Sequence, residues 1–458
     1  MKIGFLNRGH VTWTAGSSYT RSMVHAIASA LTPGVELCLI GGAGGAMPEI
    51  PGVTAIRSEQ EQPDVAEISR LVSEHGIDVV LPATEIMPED IPCGVVGWIP
   101  DFQHARLPQY FSESQRSERD HHFRYLVENC DAMLCSSDAV KFDLEQLHPD
   151  VETITGTVPF PSSFAYDETP PADPSWVGAK YGLPPVYAIV INQFWRHKNH
   201  RVVVEAVVQA RAMNPYVFVA MAGTMSDSRD PANAQVSATV QRVFREKLQG
   251  HLGLLGEIPG EDLPALLRGA SLVIQPSEFE GWNTTVEDAL AFGKPVAVSD
   301  IPTHREQVPG AFFFGTEDAS ALAGYLASCD WSTPGWRGSA IELDALAAER
   351  ARGREWGARA IELCRQAAAR HRKNPGRRAL WQPSAETLRS PHFQIRALTA
   401  RVRELEKERA EAGKEVASLR SEVGKLRREI GEMTKKYWQE RQKPLRVHAR
   451  EAIFGRKD

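Results

Sequence analysis

Residues 272–300 read LVIQPSEFEGWNTTVEDALAFGKPVAVSD, with two apolar runs on either side of a helical pattern. LVIQP is typical of a buried strand, and TVEDALAFG has helical character that ends at Gly293. PVAVSD is a second short apolar run, so a helix joins two strands. Such a connection is typical of neighbouring parallel strands, and it predicts an α/β sheet covered by helices.

The same alternation of apolar runs and helical patterns continues toward the N-terminus. The other runs of this kind are KIGFL, VELCLI, DVVLPA, VVGWIP, AMLCSS, VYAIVIN and YVFVAMAG. Prolines and small residues interrupt the pattern at residues 168–185. A chain of 458 residues is too long to fold around one hydrophobic core. We therefore expect two doubly wound α/β domains, at residues 1–167 and 180–330.

The remaining residues have a different organisation. We expect closing helices at 331–372, a polar linker at 373–394, a coiled coil at 395–440 and a basic tail at 441–458. Two apolar seams recur every seven residues in the coil. The first comprises Ile395, Val402, Arg409, Val416, Val423, Ile430 and Tyr437, and the second Leu398, Leu405, Ala412, Leu419, Leu426 and Met433.

Mostly β-branched residues in the first seam and Leu in the second favour a parallel two-stranded coiled coil, about 65 Å long. We therefore expect a homo-oligomer through residues 395–440, with a dimer favoured. A single helix packed on its own domain is the alternative, although such a helix usually has a broader apolar stripe.

Composition narrows the cellular setting. The net charge of −6 gives no reason to expect nucleic-acid binding. The six cysteines show no zinc-binding spacing, the N-terminus reads as a strand rather than a secretion signal, and no stretch is apolar enough to span a bilayer. We expect a cytoplasmic protein. Residues 437–458 are basic with apolar side chains interspersed, so they are either a contact with the anionic inner membrane surface or a solvated coil end.

Carboxylates stand on both sides of a hydroxyl-rich turn at residues 280–288. The turn follows a strand and opens a helix, and amides at Asn283, Thr284 and Thr285 suit an anionic group such as a phosphate. Glycine at position 281 would let a ligand approach the backbone. Carboxylates would repel a phosphate, so we expect them to bind neutral hydroxyl groups, such as those of sugar rings. A phosphate between two sugars describes a nucleotide sugar, which is the ligand that this turn predicts. The alternative is that these acids only favour the helix N-terminus.

The segment PSEFEGWNTTVEDALAFGKPVAVSDIPTHREQV resembles the donor-site signature of the family-four retaining glycosyltransferases of the GT-B fold. In that fold two Rossmann-like domains face each other across a cleft. The resemblance implies that Glu280 orients the donor sugar and that Gly281 and Trp282 belong to the donor site. The family places an acid eight residues after the first Glu, which is Asp288 here, with Glu287 one position early; either residue is a candidate for the ribose contact.

Two further segments extend the resemblance. INQFWRHKNHRVVVEAV is similar to the family's phosphate-binding loop, which implies donor phosphate contacts for Lys198 and Arg196; a solvated helix start is the alternative. In the first domain, the resemblance of GWIPDFQH implies that His104 lies near the reacting sugar, with Asp101 and Gln103 on the acceptor side. Histidines on such loops are more often structural. The resemblance of HVTWTAGSSYT places Gly16 beside the donor phosphates.

The resemblance implies transfer of a sugar, with retained configuration, from a nucleotide diphosphate sugar to a hydroxyl of a glycan or lipid-linked glycan. The resemblance implies neither a metal nor another cofactor, because Lys198 and helix-start amides would stabilise the leaving phosphate. Cell-surface polysaccharide or glycoconjugate synthesis is the expected setting, with glycogen- or sucrose-type metabolism left open. The alternatives are an oligomeric scaffold with an inactive transferase domain, and a nucleotide-sugar epimerase or hydrolase.

Overall fold

The computed structural model describes residues 1–7, 14–43, 47–88, 90–167, 172–226, 234–336 and 338–375, and, near the C-terminus, residues 402, 425–426 and 428–433. Side chains of residues 14–18 are outside this description. Within these ranges the chain forms two parallel sheets with helices on their faces. The α/β architecture predicted from the alternating pattern is confirmed.

The first sheet has seven parallel strands in the order β3-β2-β1-β4-β5-β6-β7. Its strands are β1 (Lys2–Asn7), β2 (Glu36–Gly41), β3 (Val53–Arg57), β4 (Val79–Ala83), β5 (Gly94–Ile99), β6 (Ala132–Cys135) and β7 (Ile154–Thr157). The accompanying helices are α1 (Thr14–Ser29), α2 (Val65–His75), α3 (Gln103–Arg106), α4 (Glu113–Asn129) and α5 (Asp138–Leu147). The strand order reverses between β1 and β4, which is where such sheets open toward a ligand.

The second sheet has six parallel strands in the order β10-β9-β8-β11-β12-β13. Its strands are β8 (Ala188–Ile191), β9 (Val219–Ala222), β10 (Leu252–Gly256), β11 (Leu272–Gln275), β12 (Val296–Ser299) and β13 (Phe312–Phe314). Its helices are α6 (Trp176–Tyr181), α7 (His200–Met213), α8 (Ala234–Arg245), α9 (Leu263–Gly269), α10 (Thr284–Ala291), α11 (Pro302–Gln307) and α12 (Ala319–Ser328). The order reverses between β8 and β11, which pair in register at Leu272 and Ala188.

A long helix, α13 (Ser339–Lys373), connects the two domains. Its first turns lie against the second domain, where Arg268 donates to Glu342 over 2.7 Å. Its last turns lie in the first domain's core, since Ala360, Ile361 and Cys364 belong to that apolar cluster. The sequence predicts closing helices at 331–372, and the structure places most of this segment in a single helix.

Small residues let α13 approach the first domain closely. A Cβ atom added to Gly357 would lie 2.0 Å from the carbonyl oxygen of Ala26 in α1. Near the end of α13, a Cβ atom on Gly94 of β5 would lie 2.9 Å from the backbone nitrogen of Ala368. Glycine at both positions therefore allows backbone-to-backbone packing.

Most of the predicted coiled coil, 395–440, and all of the basic tail, 441–458, lie outside the described residues. Val402 is 7% exposed and packs against the partly buried Leu426 and Ile430. The dimeric coil stays a prediction.

Among the described residues, no helix combines the length and the apolar character that a bilayer-spanning segment needs.

Candidate active site

Two loops meet where the second sheet reverses its strand order. One follows β8 and carries Lys198, and the other follows β11 and carries Glu280. Because β8 and β11 are neighbouring parallel strands, their carboxyl ends place the two loops side by side. The Nζ atom of Lys198 donates to Oε1 of Glu280 over 2.6 Å. The structure therefore brings together the two residues that the sequence assigns to the donor phosphate and donor sugar.

The Lys198–Glu280 ion pair is largely withdrawn from solvent. The side chains are 16% and 9% exposed, respectively. Both hydrogen bonds to the Glu280 carboxylate reach Oε1, from Lys198 and from Nδ2 of Asn283 at 3.2 Å. Among the described residues, Oε2 accepts no hydrogen bond, so this oxygen is available to a ligand hydroxyl. Charge-assisted hydrogen bonds of this kind hold a carboxylate in one orientation.

Helix α10 begins at Thr284, shortly after Glu280, with its N-terminus at this edge of the sheet. The side chain of Asn283 caps it by accepting from the Val286 amide over 3.2 Å. Thr284 is half-buried, and the hydroxyl of Thr285 donates to the Ile191 carbonyl at the end of β8. Asn283 and Thr285 thus hold the helix start against the sheet, and the helix dipole points at the Lys198 loop.

The Gly281–Trp282 step contacts the first domain. A Cβ atom on Gly281 would lie 2.1 Å from the carbonyl oxygen of Pro100, so glycine at this position lets the first domain's backbone approach closely. The indole of Trp282 donates to the Phe160 carbonyl over 3.1 Å and meets Trp356 of α13 edge-on. These two residues fit the domains together at the site.

Glu287 is fully buried in α10. Its two oxygens accept from Gln307 over 2.8 Å and from Arg352 over 2.9 Å. Burial, followed by the nearby Glu349 carboxylate, raises the pKa of Glu287 well above its ordinary value. With both oxygens occupied inside the protein, Glu287 is a structural link between α10 and α13, contrary to its candidacy for ribose binding.

Asp288 is half-buried beside the segment that joins the two domains. Its Oδ1 accepts from the hydroxyl of Ser162 over 2.6 Å. Burial raises the pKa of Asp288 to about 7, and the Ser162 hydrogen bond opposes that shift. Asp288 is therefore only partly exposed, and the pKa of its carboxyl lies well above the ordinary value.

His104 lies in α3 in the first domain and is 1% exposed. Its Nε2 lies 2.8 Å from Oδ1 of Asp120, and Nδ1 is buried with no hydrogen-bond partner among the described residues. Burial lowers the pKa of His104, and the Asp120 hydrogen bond opposes that shift. The Phe123 ring packs edge-on at 5.2 Å from the imidazole, so the ring is rigidly held.

The remaining predicted residues of the first domain lie near the ends of its strands. Asp101 is half-buried, and its Oδ1 accepts from the backbone nitrogen of Gln103, which is itself buried. Gly16 lies in the first turn of α1, which follows β1. Asp101 is near the second domain, because a Cβ atom on Gly281 would lie 2.9 Å from its Cβ. The structure thus brings Asp101 to the Glu280 loop.

A contact between the domains lies beside the Lys198 loop. The hydroxyl of Tyr110 donates to Oε2 of Glu278 over 2.7 Å. The guanidinium of Arg196 stacks over the Tyr110 ring at 4.7 Å from its centre. Burial and the Glu278 hydrogen bond raise the pKa of Tyr110 to about 12, so the phenol stays protonated and can donate. Arg196 therefore lies at the junction of both domains.

Several residues of this site were missed by sequence reasoning. They include Tyr110, Glu278, His304, Gln307 and Arg352. His304 and Gln307 belong to the THREQ segment, which follows the signature closely and was the available signal. Arg352 comes from α13, far along the chain, and only the packing of that helix brings it to Glu287.

Comparisons with known proteins bear on the family and on the fold. Residues 180–329 match the family described as "Glycosyl transferases group 1". An 87-residue stretch is 31% identical to O-antigen chain mannosyltransferase B of Escherichia coli, and the match covers 19% of this chain and 23% of that relative.

Solved structures resemble most of the chain. HepE of Anabaena in complex with UDP has a TM-score of 0.53 at 18% identity, over 81% of this chain and 99% of that one. Sucrose-phosphate synthase of Thermosynechococcus elongatus has a TM-score of 0.52 at 16% identity, over 87% and 99% of the two chains. At these identities the likeness concerns the fold. The chain has the GT-B fold, and its second domain matches a glycosyltransferase family.

Proposed function

We propose that this chain is a retaining glycosyltransferase that moves a sugar from a nucleotide diphosphate sugar to an acceptor hydroxyl. The observation that carries the proposal is the pairing of Lys198 with Glu280 over 2.6 Å at the carboxyl ends of β8 and β11. A cation, a carboxylate and a helix N-terminus converge there. This set matches the phosphate charge and sugar hydroxyls of such a donor.

The two charges would exchange partners when the donor binds. In the structure Lys198 and Glu280 form an ion pair. A diphosphate would attract the Lys198 ammonium, and Glu280 would then accept from a hydroxyl of the donor sugar. As the glycosidic bond breaks, charge grows on the leaving phosphate, where Lys198 and the amides of Thr284 and Thr285 would stabilise it. In this scheme those groups provide the charge stabilisation without a metal ion.

The ribose contact is assigned to Asp288. Its carboxyl retains exposed surface, whereas Glu287 is fully buried with both oxygens occupied. His104 would lie at the reacting sugar, where its buried Nδ1 would accept a hydrogen bond. Asp101 and Gln103 would line the side of the site that holds the acceptor substrate. The acceptor would be a glycan or lipid-linked glycan in surface polysaccharide synthesis. The partial match to an O-antigen mannosyltransferase supports that setting.

The first test is binding and turnover with a panel of UDP- and GDP-sugars. We expect one donor to stabilise the wild-type protein by ~2.7 kcal/mol at a hundred times its Kd, and so to raise the melting temperature. Lys198→Ala and Glu280→Ala should each lower kcat about a hundredfold or more, and EDTA should leave turnover unchanged.

Lys141→Ala is the matched control, since it removes a lysine from an ion pair with Glu145 on α5, outside the site. Near-normal turnover in Lys198→Ala or Glu280→Ala would remove that residue from the mechanism. Release of free sugar without any transfer would favour the hydrolase alternative. Absence of donor binding by the wild-type protein would contradict the proposed function.

A further inference from the structure

A buried polar network lies under Glu280. The hydroxyl of Thr303 donates to the backbone carbonyl of Glu280 over 2.7 Å. Its neighbour His304 reaches Nδ2 of Asn283 over 3.3 Å, and the same Nδ2 donates to the Glu280 carboxylate. We propose that His304 is a positioning residue, which orients Glu280 through the amide of Asn283. The inference rests on the proposed role of Glu280 in orienting the donor sugar.

The surroundings of His304 determine which ring nitrogen carries the proton. Nδ1 lies 3.0 Å from the backbone carbonyl of Ser299, which can only accept, and 3.2 Å from the Ser299 hydroxyl, which donates its own proton to the Ser277 carbonyl. Nδ1 is therefore the donor. Nε2 of the neutral ring is therefore an acceptor and faces the N–H group of Asn283. The carbonyl of a strand end thus selects the tautomer that can hold the Asn283 amide.

The orientation of the Asn283 amide decides how Glu280 is held. Its Oδ1 faces the Val286 amide at the helix start, and its Nδ2 faces three acceptors. These are Oε1 of Glu280 at 3.2 Å, Oε1 of Gln275 at 3.3 Å and Nε2 of His304 at 3.3 Å. A flipped amide would place its oxygen against all three, so neutral His304 helps to maintain the orientation that donates to Glu280.

Burial keeps His304 in the required state. Its side chain is fully buried, and Asn283 is 3% exposed. The charged groups nearest in effect are Glu280, which favours protonation, and Lys198, which opposes it. Burial, together with Lys198, outweighs Glu280 and the Ser299 hydrogen bond and lowers the pKa of His304 to about 4, so the ring is neutral and Nε2 accepts at neutral pH.

Two substitutions at position 304 separate this role from simple packing. His304→Gln retains an acceptor near the place of Nε2, whereas His304→Asn retains only a donor near the place of Nδ1. We expect His304→Asn to lower kcat about ten- to a hundredfold, because Glu280 loses its fixed position, and His304→Gln to recover most of that loss. Asn283→Asp keeps the helix cap but lacks the donor to Glu280, so we expect the same loss of kcat in this variant. It replaces His304→Asn in the test if His304→Asn fails to fold.

The measurements are kcat and KM with the donor that the wild-type protein turns over, and the Kd of UDP and GDP, which lack the sugar. We expect the nucleotide Kd to stay within about twofold of wild type, since the affected group faces the sugar and not the diphosphate. Wild-type kcat in His304→Asn, or equal losses in His304→Asn and His304→Gln, would overturn the inference. Neither result would affect the proposed function, whereas a wild-type protein that binds no UDP- or GDP-sugar would contradict both.

Discussion

Asp288 is the residue through which the proposed donor binding would depend on pH. Burial raises the pKa of its carboxyl to about 7, above an ordinary value of 3.8. A group with a raised folded-state pKa favours the folded state below its unfolded pKa, and this contribution is lost as the pH rises through the folded pKa. The contribution of Asp288 to the free energy of unfolding should therefore decrease as the pH rises from about 4 to about 7. The ionised form of Asp288 is the one that can accept hydrogen bonds from two ribose hydroxyls.

The expected result is a donor affinity that rises with pH in wild type. Between pH 6 and pH 8 the Kd of a UDP- or GDP-sugar should fall several-fold, because the carboxylate becomes populated through a pKa of about 7. Asp288→Asn should bind more weakly and show little of this dependence. Calorimetric titrations at several pH values would measure both. UDP- and GDP-sugars are the appropriate probes, since their diphosphate groups have no proton that titrates in this pH range.

Glu287→Gln is the matched control, because the neighbouring carboxyl is buried with both oxygens occupied. It should leave the pH dependence of donor binding as in wild type. A dependence that disappears in Glu287→Gln and persists in Asp288→Asn would reverse the assignment of the ribose contact.

The sequence predicts part of this site because its chemistry is local. Glu280, Asn283 and Thr285 share one loop and helix start, so their proximity follows from the strand–loop–helix pattern. Glu287 and Asp288 are adjacent, and only the packing of α13 shows which of them is enclosed. Since Arg352 and Glu349 reach Glu287 from another part of the chain, no local pattern indicates that contact.

At the scale of elements, the strand and helix alternation was sufficient to predict the two sheets. Apolar runs of four to six residues, as in β11 and β2, can be buried on both faces only within a covered parallel sheet. The path of α13 was not predicted, because its apolar positions do not specify which domain they contact. Its glycines carried the unused signal, since glycine in a helix is unfavourable unless close packing requires it.

Substitution of Gly357 tests that close packing. Gly357→Ala places a Cβ atom 2.0 Å from the Ala26 carbonyl, so α1 and α13 must separate. We expect a loss of about 1–3 kcal/mol in the free energy of unfolding, measured by urea denaturation.

Gly324→Ala in α12 is the same change at an open helical position, where a Cβ atom would have no neighbour within 4 Å. It should raise stability by about 0.5–1 kcal/mol, because alanine restricts the unfolded chain and favours helix. If both substitutions stabilise, the α1–α13 contact is looser than described.

At the scale of the whole molecule, the C-terminal repeats predict association between copies. The contact of Val402 with Leu426 and Ile430 supports packing within one chain as the competing arrangement. Light scattering on the full chain should give twice the monomer mass of 50.6 kDa if the seams pair between copies. Leu419→Asp should then yield monomers, because it puts a charge into the seam, and Ser421→Asp, on the outer face of the predicted helix, should stay dimeric. A monomeric wild type would favour the contact within one chain.

The last turn of α13 has a consequence for how an attached stalk would behave. Arg370 donates to the carbonyls of Asp131 and Glu152, so this end of the helix is anchored on the first domain's sheet. The chain that follows Lys373 therefore leaves from the first domain, the proposed acceptor-side half. If two copies associate through that chain, the association would hold the two first domains together and leave the two second domains, which carry the proposed donor site, on the outside.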